Sequence, residues 1–277
     1  MSEHKKHDYH LVDPSPWPIL GAFSSLTLFT GLVFFLHNYQ IGKILLPIGF
    51  LMVIFTMFVW WKDVVKEGVV GKHHTSIVRH GLRLGMALFI TSEVMFFFAF
   101  FWSFFKFSLM PELVFDGAHI FEIGKVVKEG VWPPAGIKTF DAWDLPLINT
   151  LILLLSGTTV TWAHYALLNN NRRDLIRGLA ITVVLGISFT CLQAFEYHHA
   201  QFGMKDGIYA SNFFLATGFH GVHVIIGTIF LAVCLIRAIR GQLSPEGHLG
   251  FEFAAWYWHF VDVVWLFLFA FVYVWGS

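Results

Sequence analysis

Two carboxylates, Glu93 in FITSEVMFFFAFF and Asp262 in WYWHFVDVVWLFLF, sit in stretches otherwise too apolar to hydrate a charge. An ionisable group in hydrocarbon costs at least ~2.5–3.5 kcal/mol, judged from Asp on insertion scales. Each acid is therefore expected to be neutral, hydrogen-bonded or paired. Counting from Gly81 and from Gly250 at about 1.5 Å per residue puts both about 18 Å along their helices, at one level. For Glu93 two readings stand: a protonatable group close to a proton or gas pathway, and a protonated carboxyl that hydrogen-bonds a neighbouring helix. For Asp262 the nearby His259 and Trp258 add weight to the second. Glu196 and Glu252 fall near span ends, can reach the interface, and are expected to say little.

The histidines are the candidate metal ligands. His164, His198, His199, His220, His223 and His259 lie in or beside apolar stretches. A bis-histidine haem needs two imidazoles at one depth on facing helices, and His223 with His259 meets the depth count. His220 and His223, at i and i+3, fit interhelical hydrogen bonds better. No cluster with the thiolates or bridging carboxylates that copper or zinc requires is apparent, so no metal site is expected. Cys191 and Cys234 have no paired spacing and read as buried thiols. A second group, His4, His7, His10, His73, His74, His80 and His248, falls outside the apolar runs. Imidazoles titrate near neutrality, so a dense group can collect and relay protons; ordinary interfacial polarity is the plainer reading.

The elements that must position these groups follow from composition. Of 277 residues 56% are hydrophobic and 13% charged, and the 18 basic and 18 acidic residues cancel. A soluble domain carries ~25% charged residues. Disorder needs high charge and low hydrophobicity, and nucleic-acid binding needs a basic excess. An integral membrane protein remains. A membrane-crossing helix needs ~20 apolar residues. Seven segments qualify, at about 17–37, 43–61, 82–105, 146–168, 176–197, 210–236 and 253–275. The fold class is all-α and polytopic, and the whole chain, 1–277, reads as one transmembrane domain. The N-terminal residues lack an apolar run with a small-residue cleavage site, so no secretory signal is expected.

Threading the seven spans puts all seven arginines, and 12 of the 18 basic residues in all, on the side of the N-terminus. That side is cytoplasmic by the positive-inside rule, and the C-terminus is periplasmic. The acids of the loop at 106–142 fall outside, among its glycines and prolines. Trp60 and Trp61, followed by Lys62, Lys66, Lys72, Arg79 and Arg83, suit the headgroup level and anionic lipid.

The segments WWKDVVKEG, GKHHTSIVRHGLRLGMALFITSEVMFFFAFFWSFF, VWPPAGI, LPLINTLILLLSGTTVTWAHYALL, LQAFEYHHA, FFLATGFHGVHVIIGTIFLAVCLIRAI and GFEFAAWYWHFVDVVWLFLFAFVYVWGS resemble subunit III of the haem-copper cytochrome c oxidases, over almost the whole chain. The N-terminal HDYHLVDPSPWP resembles bacterial members. The resemblance implies a helix pair, spans one and two, and a bundle of spans three to seven, with phospholipids in a V-shaped cleft between them. It implies no haem or copper in this chain; haem a, haem a3 and copper belong to partner subunits. Subunit I is the implied main contact, subunit II the second, and cytochrome c is met only through the complex. The implied role is support of turnover, of proton uptake at the inner surface and of oxygen access. Residue by residue, Glu93 matches the carbodiimide-reactive carboxyl. Trp61, Glu67 and His74 match lipid contacts, with Lys66 beside them, and Arg237 in CLIRAI matches the arginine on lipid phosphate. His4, His7 and His10 match a proton antenna.

The aa3-type cytochrome c oxidase is the leading reading, with the equivalent subunit of a quinol oxidase as the alternative. The bacterial plasma membrane is the expected location, with the mitochondrial inner membrane as alternative. A retinal pump would need a Lys inside span seven, and 253–275 has none.

Overall fold

A computed structural model describes residues 14–69, 74–110, 132–134 and 136–276. Seven helices are long and apolar enough to cross a membrane. They are α1 (Trp17–Leu36), α2 (Gly42–Val69), α3 (Ser76–Leu109), α4 (Leu145–Leu168), α5 (Arg172–His198), α6 (Ile208–Ile239) and α7 (Leu249–Phe267), the last continuing into a π-helical segment, Leu268–Val274. No strand occurs among the described residues. Helices are what an apolar chain must form in lipid, because every backbone N–H and C=O then bonds within its own segment.

The helices begin and end where local chemistry dictates. Pro18 lies in the first turn of α1 and Pro146 in that of α4, where a missing N–H costs nothing. Asn38 and Asn170 take φ of 61° and 54° in the turns after α1 and α4. Asn tolerates this left-handed conformation better than most side chains. The Asn171 side chain accepts from the Asp174 N–H at 3.3 Å and caps α5. Two ends extend furthest beyond the apolar count. α2 runs to Val69 instead of 61, and α3 starts at Ser76 instead of 82. Lysine and glutamate are good helix formers, so the backbone stays helical after the sequence stops being apolar.

The chain forms two compact units, Met1–Leu82 and Arg83–Ser277, with the division inside α3. In the first, α1 and α2 make a hairpin whose backbones approach closely. A methyl group added at Gly31 would lie 2.5 Å from the Leu46 nitrogen, and one at Gly49 would lie 2.5 Å from the Leu28 Cα. Small residues permit this contact, which replaces the hydrophobic drive absent between helices in lipid. Buried Ser24 and Thr56 face each other at 3.4 Å, and the Trp17 indole donates to Asp63 Oδ2 at 2.7 Å.

In the second unit α4, α5, α6 and α7 pack as neighbours in a ring. The span beginning at Leu249 has 56% of its apolar window buried, against 39% for α4 and α6, and is the most buried of the four. Trp258 shows how. Methyl groups at Gly186 of α5 or Gly227 of α6 would each come within 2.8 Å of its ring, and its Nε1–H donates to Ser156 Oγ of α4 at 2.9 Å. One side chain thus joins four helices. Trp265 likewise donates to Thr150 Oγ1 at 2.9 Å.

Candidate functional site: a carboxyl–imidazole pair within the spans

Glu93 of α3 meets His223 of α6, with Oε2 2.9 Å from Nε2. The other ring nitrogen, Nδ1, lies 2.7 Å from the Phe219 carbonyl oxygen. A carbonyl only accepts, so Nδ1 carries a hydrogen. Nε2 therefore either accepts from a protonated Glu93 or, in the imidazolium, donates to its carboxylate. In both forms one proton lies between the residues and the pair is neutral as a unit. Both side chains are mostly buried, 21% exposed for Glu93 and 12% for His223. Aromatic rings surround them: Phe97 lies 5.0 Å and Phe96 6.0 Å from the imidazole centroid, and Tyr257 stacks at 6.2 Å.

Asp262 is 8% exposed and turns toward α4, where a methyl at Gly157 would lie 2.7 Å from its Oδ2. Its sequence neighbours do not serve it. The Trp258 indole goes to Ser156, and His259 Nε2 lies 3.1 Å from Thr161 Oγ1. The Thr161 hydroxyl donates to the Gly157 carbonyl at 2.9 Å, so His259 Nε2 is the donor in that contact. Asp262 Oδ1 has no partner. Glu93 and Asp262, grouped by depth in the sequence, thus have different partners and surroundings.

The residues matched to lipid contacts fall into two sets. In the first unit Trp61 is 60% exposed on α2 and Lys66 is exposed, while Glu67 and His74 are half-buried. His74 lies against Gly68, where a methyl would come within 2.9 Å of its ring. Gly68 follows Trp61 by seven residues, about two turns, so the imidazole shares the Trp61 face. In the second unit Arg237, at the end of α6, lies against Gly250 at the start of α7, and its Nε is buried without a partner. His4, His7 and His10 lie outside the described residues. Cys234 is buried as expected, whereas Cys191 is exposed on α5.

Two arrangements escaped the sequence reading. Arg83 forms a two-pronged ion pair with Glu252, Nε to Oε1 at 2.9 Å and Nη2 to Oε2 at 2.8 Å, tying α3 to α7. Glu196, expected to reach the interface, is instead 2% exposed. The Tyr273 hydroxyl donates to its Oε1 at 2.7 Å and the Gln193 amide to the same oxygen at 3.3 Å, while Asn149 donates to Gln193 Oε1 at 3.5 Å. Distance from a helix end measures depth, whereas lateral packing decides burial. The one available signal was the three-residue spacing of Gln193 and Glu196 in the run CLQAFEYHH.

Seven apolar helices with an internally neutralised carboxyl–imidazole pair define a polytopic membrane protein that holds polar groups inside its bundle. Comparison with known proteins carries this to a family. The family model described as cytochrome c oxidase subunit III matches residues 7–277. The chain is 60% identical over 275 residues to "Probable cytochrome c oxidase subunit 3" of Rickettsia bellii (strain RML369-C), covering 99% of this chain and 97% of that one. It is 56% identical over 273 residues to the cytochrome c oxidase subunit 3 of Prototheca wickerhamii, covering 99% of each. With that of Arabidopsis thaliana it shares 54% over 277 residues, 100% of both. The chain belongs to the cytochrome c oxidase subunit III family. Its seven spans and its Rickettsia relatives support a bacterial inner-membrane location.

Proposed function

We propose that this chain is the non-redox subunit III of an aa3-type cytochrome c oxidase. It stabilises the catalytic core subunit I, adjoins subunit II, binds phospholipid, and supports proton uptake and sustained turnover while the complex reduces oxygen and pumps protons. Its N-terminus is cytoplasmic and its C-terminus periplasmic. Haem a, haem a3 and copper reside in the partner subunits, and cytochrome c meets the complex and not this chain.

The observation that carries the non-redox reading is where the imidazole lone pairs go. His223, half of the haem pair that depth allowed, has both nitrogens engaged, one by Glu93 and one by Phe219. A ring so held has no electron pair for iron. The lipid role is supported by Arg237, whose buried guanidinium Nε lacks an acceptor that a phosphate oxygen would supply. The proton role is supported by the Glu93–His223 pair, which holds a transferable proton.

Oxidase stripped of this chain is expected to keep its haem spectrum and initial turnover rate, and to inactivate sooner during sustained turnover. Arg237→Ala should shift inactivation in the same direction and lower retained anionic lipid, counted by mass spectrometry. Haem absorbance in the purified isolated chain would overturn the reading, and unchanged lipid content in Arg237→Ala would remove the lipid role.

A further inference from the structure

Asp262 lies about 18 Å along α7 from Gly250, and the hydrogen-bonding groups around it are engaged elsewhere. Trp258 donates to Ser156, Trp265 to Thr150, and the Thr161 hydroxyl to the Gly157 carbonyl. Of the 8% of Asp262 that stays exposed, Oδ1 has no share: it is sealed without a partner. Oδ2 has no hydrogen bond among the described residues either, but it is not sealed. It opens outward from the α4–α7 crevice over Gly157, where a methyl would lie 2.7 Å from it. His259 brings a second acceptor to the same place. Its Nε2 donates to Thr161, so in the neutral ring Nδ1 carries the lone pair, 3.7 Å from the same methyl position. The surface around them is apolar. Exposed Leu154 stands about two turns before Thr161 on α4, and exposed Val263 and Leu266 follow His259 by about one and two turns on α7. Two unmet acceptors therefore open onto an apolar face at membrane depth.

We propose that this α4–α7 face docks a membrane-spanning helix of another subunit, which places an N–H or O–H side-chain donor against Asp262 Oδ2 and His259 Nδ1. This docking rests on the reading of the chain as an oxidase subunit, and it names where a neighbour meets it. Chemistry selects the occupant. Ionisable groups within spans face the bundle interior or a polar cavity, or pair with another group. Acyl chains carry no donor, and a depth of about 18 Å in a hydrocarbon layer of ~30 Å is out of reach of headgroups. A helix can carry a donor to that depth because its own backbone is satisfied internally. Indole, amide and hydroxyl groups all qualify, and side-chain hydrogen bonds between helices are a recognised glue in membranes. An amide or hydroxyl also accepts, so it suits the acid as well as the carboxylate. Other exposed polar groups on the spans show the contrast. Ser188 bonds back to the Val184 carbonyl at 2.9 Å and Thr158 to that of Leu155 at 2.7 Å, as side chains facing lipid can. Asp262 Oδ2 has no such bond.

The test uses the intact oxidase containing this chain. Val263→benzoylphenylalanine puts a photo-crosslinker on the face, the membranes are irradiated, and the joined peptides are sequenced by mass spectrometry. The crosslink should fall on a membrane-spanning segment of another subunit that carries a donor side chain within a turn of the joined residue. Its yield should hold when Asp262→Asn is added, because the amide keeps an acceptor. It should fall about fivefold or more with Asp262→Leu, the factor that loss of one interhelical hydrogen bond implies. The crosslink in the otherwise wild-type chain needs neither variant, so it decides the matter if Asp262→Leu fails to assemble. Crosslinking to lipid alone, to a second copy of this chain, or to a segment without a donor would overturn the proposal, as would equal yields in Asp262→Leu and Asp262→Asn. A wild-type chain that does not purify with a haem-bearing subunit would overturn the subunit reading and this docking with it. A chain that does so purify, yet crosslinks only to lipid, overturns the docking alone.

Discussion

One proton lies between Glu93 and His223, and its place decides what substitutions cost. With Nδ1–H held by the Phe219 carbonyl, Nε2 of a neutral ring accepts. A glutamine at 93 can donate its amide N–H to that lone pair. Glu93→Gln is therefore expected to keep the α3–α6 bond and to change stability by less than about 1 kcal/mol, in line with interhelical hydrogen bonds in membranes. His223→Leu removes the partner and leaves the carboxyl among phenyl rings. It should cost more, about 1–3 kcal/mol. Subunit retention in the complex across a detergent or heat series checks the order. Equal retention of the two variants would show that the pair does not hold α3 to α6. The sequence marked Glu93 as a group that must be neutral or bonded. It did not name His223 as the partner, because depth grouped His223 with His259 and only lateral packing separates them.

At the scale of elements, the α1–α2 hairpin depends on atoms that are absent. Gly31 and Gly49 face partner backbone, which cannot swing aside as a flexible side chain can. Gly31→Leu should force the two helices apart and destabilise the hairpin by at least the ~1–3 kcal/mol of ordinary overpacking. Gly21→Ala is the control, since its added methyl would meet only Thr56 Cγ2 at 3.9 Å and Trp60 Cζ3 at 4.0 Å. Assembled oxidase per membrane protein should fall in Gly31→Leu and hold in Gly21→Ala; the reverse would refute the close approach. All seven spans were legible, because length and apolarity alone define a membrane helix. Their ends were less so. Helix propensity carries α2 through Lys62, Lys66 and Glu67 to Val69, where hydropathy no longer marks the chain. The burial of Glu196 was hidden for a related reason. A residue two positions before the end of α5 sits near the surface in depth, yet Tyr273 from the π-helical segment after α7 covers it laterally.

Across the whole molecule the formal charge of zero is a cancellation between two sides. The arginines on one side also serve structure: Arg83 pairs with Glu252, and Arg172 donates to the Ala238 and Ile239 carbonyls that end α6, a favourable place for a cation. Such bonds could explain arginine clustering without any bearing on orientation, so orientation needs its own test. The turn after α6 contains exposed Ser244 and the turn after α5 contains exposed Lys205. Seven spans with a cytoplasmic N-terminus put Ser244 inside and Lys205 outside. In a Cys191→Ser background, which removes the exposed native thiol and leaves buried Cys234, a membrane-impermeant maleimide should label Lys205→Cys in intact spheroplasts. It should label Ser244→Cys only in inverted vesicles. The opposite pattern would invert the chain and place Arg237 at the periplasmic surface.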